Sequence, residues 1–254
     1  MGRLALTLGP TNRHHRQAPH MNINESAGSD WRQWLCVTSI PLVHLGKNED
    51  VIGLGSGMMI NHAGCRFLLA AEHVVKRDET GWAVVVHQDE RGQMEYYRPN
   101  FFTYVGEIRL NSGEIRLLDL CAAQVSPQLK TWYEHRTPRG LFDKRPHHIF
   151  DSTSIAVPES QQIYGFSGRI QTEKHGKDTF VSDMVVYPGL KYSHTDQDIH
   201  HFKLPVSHPG HAAFNGCSGS PIVDFNRNVV ALVVRGDIPT NTVQGVAISR
   251  VLSC

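Results

Sequence analysis

Residues 212–236 read AAFNGCSGSPIVDFNRNVVALVVRG. Gly216, Cys217, Ser218, Gly219, Ser220 and Pro221 stand in a row, directly before a run of β-formers. A plain turn needs one or two such residues. Six in succession imply a backbone shaped around the serine at their centre, Ser218. A glycine at 216 adopts angles that other residues resist. The N–H groups of Gly216 and Ser218 can then point the same way and form a small anion hole. Gly219 turns the chain without a Cβ in the way, and Pro221 fixes the exit into the next strand.

A serine hydroxyl alone is a poor nucleophile. It needs a base, a group that orients the base, and donors for the oxyanion. The α/β-hydrolase elbow, G-x-S-x-G, does not fit, because the residue two after Ser218 is Ser220 and no histidine lies between Gly219 and Cys254. An order of histidine, aspartate, serine stays open. The best histidine is His73, in CRFLLAAEHVVKRD (65–78), where small Ala70 and Ala71 leave room for a ring at a strand end. The best acid is Asp119, a lone carboxylate inside the apolar run of EIRLLDLCAAQV (114–125). Burial there is costly without a partner.

The 254 residues are 40% hydrophobic, enough for one large core or two smaller ones. Lys plus Arg number 25 and Asp plus Glu 24, a balance that gives no general attraction to nucleic acid or to an anionic membrane. Cys36, Cys65, Cys121, Cys217 and Cys254 are odd in number, widely spaced and free of a CxxC pair, so they read as reduced thiols. No apolar stretch is long enough to cross a bilayer, and the first 22 residues lack a signal-peptide pattern, which together predict a cytoplasmic protein.

Residues 1–28, rich in Arg, His, Asn and Pro, read as a disordered leader. Short β-like runs follow, beginning with WLCVTSIPLV, separated by Gly, Asn, Asp and Pro, with no long helical period. This pattern predicts an all-β sandwich or barrel. The polar, basic, Pro-containing stretch 126–157 reads as a linker between a first half, 29–125, and a second, 158–254.

With these segments in order, the chain resembles the chymotrypsin-like (trypsin-like) serine peptidases, and most closely their bacterial branch. GSGMMIN with FLLAAEHVV, LLDLCAAQV, IYGFSG, and GCSGSPIVD with VVALVVRG and GVAISRV carry the resemblance across roughly 34–252. It implies an all-β fold of two six-stranded antiparallel β-barrels with a site between them. His73 and Asp119 would come from the first barrel and Ser218 from the second. His73 would take the Ser218 proton, Asp119 would hold the ring, and the N–H groups of Gly216 and Ser218 would form the oxyanion hole. The base of the primary pocket would fall at Ala212 and Ala213, with Gly236 and Gly245 on its walls. No acid lies among these four, so a neutral, apolar P1 residue is expected.

The sequence also departs from the family. Glu72 stands before the histidine where a small alanine is usual, and must find a partner or point to solvent. Val234 stands where many relatives carry a serine that supports the aspartate. Cys217 replaces the aspartate that pairs with a freed N-terminus in animal zymogens, so activation by that route is not expected. Arg235 occupies a usually apolar position.

HTDQDIHH (194–201) alternates possible metal ligands in His194, Asp196, Asp198 and His200, and PHH (146–148) adds two histidines. The usual zinc spacings are missing, so these read as solvated loops with no metal. The sequence thus predicts a serine endopeptidase acting on peptide or protein substrates, without cofactor, metal, nucleic-acid or membrane partner. The alternative is a catalytically silent domain of the same fold that binds peptides, which Glu72 and Val234 favour.

Overall fold

The computed structural model describes residues 25–76, 81–88, 94–108, 113–136, 142–175 and 179–253. Most of the leader, 1–24, lies outside them. The described chain opens with a helix, α1 (Glu25–Leu35), where the sequence suggested only the start of a β-run. Trp31 and Leu35, four apart and so on one helix face, are buried, and this face anchors the helix. Trp31 Nε1 donates to the Asp224 carbonyl, and Ser167 Oγ donates to the Leu35 carbonyl at the helix end.

Seven strands and one helical turn make up the first half: β1 (Ile40–Leu45), β2 (Val51–His62), β3 (Cys65–Ala70), α2 (Glu72–Val75), β4 (Trp82–Gln88), β5 (Met94–Tyr97), β6 (Thr103–Ile108) and β7 (Ile115–Val125). Between β2 and β3, Ala63 and Gly64 both take positive φ, the geometry of a two-residue hairpin whose twist matches its strands. The order across the sheet is β5-β4-β1-β2-β3-β7-β6.

The stretch 126–157 is itself structured. It holds a separate hairpin of β8 (Trp132–Arg136) and β9 (Phe142–Pro146), then β10 (Ile149–Asp151). β10 pairs parallel with Met59–Asn61 of β2, beyond the part of β2 that pairs β1, and becomes the eighth strand of the first sheet.

The second half holds β11 (Tyr164–His175), β12 (Thr179–Asp196), β13 (Ile199–Lys203), β14 (Pro221–Asp224), β15 (Val229–Asp237) and β16 (Thr242–Ala247). These six close into a barrel in the order β11-β12-β13-β16-β15-β14. Of the two six-stranded barrels expected, this one is shown. Among the described residues the first half is an eight-stranded sheet whose end strands, β5 and β6, are not paired with each other, and only the second half closes. No helix among the described residues is long and apolar enough to cross a membrane.

Each half has its own core. Leu42, Met59, Leu68 and Val84 pack in the first, and Phe166, Phe202, Ile222 and Val233 in the second. A third cluster joins them: Leu69, Leu118, Leu120 and Phe150 pack with Val223, Leu232, Val234 and Val246. Burial of this apolar seam removes area from water on both sides and locks the halves together. Beside it, Asp198, 3% exposed on its side chain, accepts from Arg116 of β7 and from Arg250, and Arg116 also pairs with Glu107 of β6 at 2.8 Å. A buried carboxylate is tolerable only with such partners.

Candidate active site

The apolar residues of β3 run into the seam and end at fully buried Ala71, where α2 begins. Ala71 has no side chain to cap the turn. The cap comes from β7 instead. β3 and β7 are antiparallel with Ala70 opposite Cys121, so the register carried two residues further sets Asp119 beside α2. Leu118 and Leu120 face the core and Asp119 the other way, as alternation on a strand requires. Asp119 Oδ1 accepts the His73 backbone N–H at 3.0 Å, and Oδ2 pairs with His73 Nδ1 at 2.7 Å. One carboxylate thus satisfies an orphan helix donor and orients the ring. The pair is open to water, with the side chains 46% and 30% exposed. Among the described residues Asp119 accepts no third hydrogen bond. Val234, at the position discussed above, is packed in the seam.

Glu72 finds a partner one turn on. Its carboxylate lies 2.8 Å from Lys76 Nζ and raises the lysine pKa above its ordinary value.

The serine segment is shaped almost wholly by backbone. A short 3-10 turn, His211–Phe214, carries Ala212 and Ala213 and leads into it. Cys217 N–H donates to Phe214 O, Ser220 N–H to Cys217 O, and Gly219 N–H to Val233 O, while Val233 N–H returns to Ser220 O. Gly216 and Gly219 have φ of 94° and 89°, where a side chain would be strained. Among the described residues, the Gly216 and Ser218 N–H groups have no acceptor. Cys217 is fully buried, and burial pushes its thiol pKa up to about 12, so it is a neutral core residue beside Ser218.

The two halves meet at Gly219. A Cβ built there would lie 1.9 Å from the Ser56 carbonyl oxygen and 3.3 Å from the Ala71 nitrogen. The residue after Ser218 is therefore pressed against β2 and against the residue that starts the His73 turn. Ser56 fastens the contact. Its N–H donates to Ser218 O at 3.0 Å and its hydroxyl to Gly216 O at 2.6 Å. Ser56 holds the serine segment in place, a contact that the sequence reading missed. Its signal was weak, a serine between two glycines in GSGMMIN. Among the described residues Ser218 and His73 make no hydrogen bond to each other.

The structure is similar to that of a serine endoprotease from Yersinia pestis, with a TM-score of 0.50 at 12% identity, over 92% of this chain and 66% of that one. The fold is that of the chymotrypsin-like proteases. Other chymotrypsin-like structures align with lower scores. The Rv3671c protease from M. tuberculosis in its active form gives a TM-score of 0.45 at 14% identity, over 97% of this chain and 92% of that one. The tobacco vein mottling virus protease gives 0.47 at 10% identity, over 93% and 84%. No protein-family model matches the sequence, and no curated protein matches it either.

The two glycines expected on the pocket walls of this chymotrypsin-like chain part company. Gly236 lies under an imidazole: a Cβ there would be 2.3 Å from His208 Nε2. Gly245 faces the interior of the second barrel, where a Cβ would be 2.7 Å from Ala231 Cβ and 2.9 Å from Ile222 Cδ1. The cause is register, since Gly245 pairs with Val233 of β15 and shares its core-facing side. Arg235, on the next position, is exposed and donates to Gln244 Oε1.

The alternating histidine stretch is engaged elsewhere. Asp198 holds the two arginines, His200 Nδ1 pairs with Thr195 Oγ1 at 2.8 Å, and His194 stacks on His201 with ring centres 4.2 Å apart.

Proposed function

We propose that this chain is a serine endopeptidase that cleaves peptide or protein substrates through an acyl-enzyme on Ser218. The observation that carries the reading is the Asp119–His73 hydrogen bond at 2.7 Å, on a turn whose first residue is pressed against Gly219. Asp119 accepts from Nδ1–H, so the neutral His73 ring presents an Nε2 lone pair. In the proposed cycle that lone pair takes the Ser218 proton as Oγ attacks the scissile carbonyl. The imidazolium formed is stabilised by Asp119 and then protonates the leaving amine. Water, activated by the same histidine, releases the acyl group. The Gly216 and Ser218 N–H groups, without acceptors among the described residues, hold the tetrahedral oxyanion, each donor lowering the barrier by about 3–4 kcal/mol. Ser56 keeps the Gly216 peptide in place. No cofactor or metal has a role in this cycle.

The test is a fluorophosphonate probe, with Ser218→Ala and His73→Ala alongside. Wild type alone is expected to be labelled. A folded wild type that stays unlabelled, or a Ser218→Ala variant that still labels, overturns the reading.

A second reading follows from the missing Ser218–His73 hydrogen bond among the described residues and the absent third donor to Asp119. The same cleft could serve as a peptide-binding site without chemistry. Peptide binding by an unlabelled, folded wild type would select it.

A further inference from the structure

A guanidinium fastens the strand that carries Asp119 to the second half. Arg116 stands on β7 three residues before Asp119, about 10 Å along the strand. It shares the strand face of Leu118 and Leu120, which pack in the seam, and lies on the face opposite Asp119. All three of its side-chain nitrogens donate. Nε meets Glu107 Oε1, on its register partner in β6, at 2.8 Å. Nη1 donates to Gln197 Oε1 and Nη2 to Asp198 Oδ2, both in the turn between β12 and β13.

That turn is not a relaxed one. Gln197 has φ of 54°, a left-handed conformation that strains a residue with a Cβ. The strained turn presents two acceptors to the same guanidinium. The planar fork fixes several directions at once, whereas a lysine ammonium is a point charge on a flexible stem. Asp198 has a second cation, Arg250, on the 3-10 turn Ile248–Ser253 that follows β16. The buried carboxylate therefore keeps a partner when Arg116 is removed. What is lost is the tie between the second half and β7.

Asp119 makes this tie matter for chemistry. Among the described residues its carboxylate hydrogen-bonds only to His73, which lies in its own half. It accepts nothing there from the second half, where Ser218 stands. Its place relative to Ser218 follows from where β7 lies, through the apolar seam and through Arg116. Apolar contact is non-directional. The fork supplies direction.

We propose that Arg116 is a positioning residue of the proposed peptidase: by bridging β7 to Gln197 and Asp198, it sets the place of Asp119, and with it His73, relative to Ser218. This rests on the protease reading. It gives the ion network beside the seam a part in the reaction beyond holding the halves together.

The test follows fluorophosphonate labelling of the full chain against probe concentration, which separates the maximal labelling rate from the half-saturating concentration. The variants are Arg116→Met, Arg116→Lys and Arg250→Met, with both Arg116 variants also made in an Asp119→Asn background and followed for hours. Arg116→Met keeps the stem and removes the fork. Its maximal rate should fall about 10–100-fold, with half-saturation unchanged. Arg116→Lys keeps the charge without the fork and should show a smaller loss of the same kind. Arg250→Met removes the other partner of Asp198 without touching β7 and should label at the wild-type rate. In the Asp119→Asn background the Arg116 variants should lose nothing further, because their effect runs through Asp119. A merely structural role would lower the rate by the same factor in both backgrounds. If Arg116→Met does not fold, Arg116→Lys decides by the same comparisons. Wild-type rates in the folded Arg116 variants, an equal loss from Arg250→Met, or an equal loss in the Asp119→Asn background overturns the assignment and leaves the protease reading standing. An unlabelled, folded wild type overturns the protease reading and takes this inference with it.

Discussion

The two sides of the cleft are held by different means. On the first half, His73 and Asp119 sit partly open to water where α2 meets β7, and the Asp119 carboxylate holds the histidine by two hydrogen bonds. On the second half, the segment around Ser218 is fixed by a closed net of main-chain bonds, two glycines at positive φ, and the backbone of Ser56. A group that must move a proton needs freedom of charge and access to water. Donors that must receive an oxyanion need a frame that does not yield. The contrast predicts that chemistry and stability respond separately on the first side and together on the second.

The largest effect expected is from Asp119→Asn. The amide oxygen can still cap α2, so the stability measured by urea unfolding should change by no more than about 1 kcal/mol. The amide nitrogen would face His73 Nδ1 and favour the wrong tautomer. On the proposed mechanism, turnover of a peptide substrate should then fall ~10,000-fold. Unfolding of the variant under native conditions would break the comparison.

Gly219→Ala is the matching probe on the other side. A Cβ forced against the Ser56 carbonyl at positive φ should cost about 2–4 kcal/mol of stability. Displacement of the Ser218 N–H should lower turnover ~100–1,000-fold at the same time. Denaturant unfolding and probe labelling on one sample would check both. A stable but inactive variant would blur the distinction.

Ser56→Ala removes only the hydroxyl bond to Gly216 O. One neutral hydrogen bond is worth about 1 kcal/mol, or roughly fivefold in kcat, with KM unchanged. A rise in KM with constant kcat would show that Ser56 acts on substrate binding instead.

The smallest effect is a pH slope away from the cleft. Burial, then Arg227, holds His148 below the ordinary histidine pKa, and burial does the same for His200. A lowered native pKa means that the unfolded chain binds the proton first as pH falls. Stability is therefore level above about 6.5 and declines below it, until the native pKa is passed. Thermal unfolding between pH 7 and 5 should show this decline, and His148→Gln should flatten part of it. An unchanged slope would remove His148 from the account.

Much of the second half was legible along the chain. Alternation and turn residues marked its strands, and the glycines at 216 and 219 announced a special backbone because few other residues tolerate those angles. Asp119 was legible as a carboxylate too isolated in an apolar run to lack a partner. β10 was not, because its three residues lie in a polar stretch and become a strand only when β2 offers an edge. The helix before β1 was hidden because Trp31 and Leu35 supply only two anchoring positions, too few for a visible period.

The sequence by itself determined the order of His73, Asp119 and Ser218, the β-rich composition, and the glycines that free the backbone around Ser218, since these follow from local angles and short-range pattern. Only the tertiary structure decided that β10 joins the first sheet, that Ser56 grips the serine segment, that Gly245 turns inward and that His208 covers Gly236. Those outcomes depend on strand register and on residues far apart in sequence. A one-residue shift of pairing turns a side chain from cleft to core, and no local signal in the chain encodes that shift.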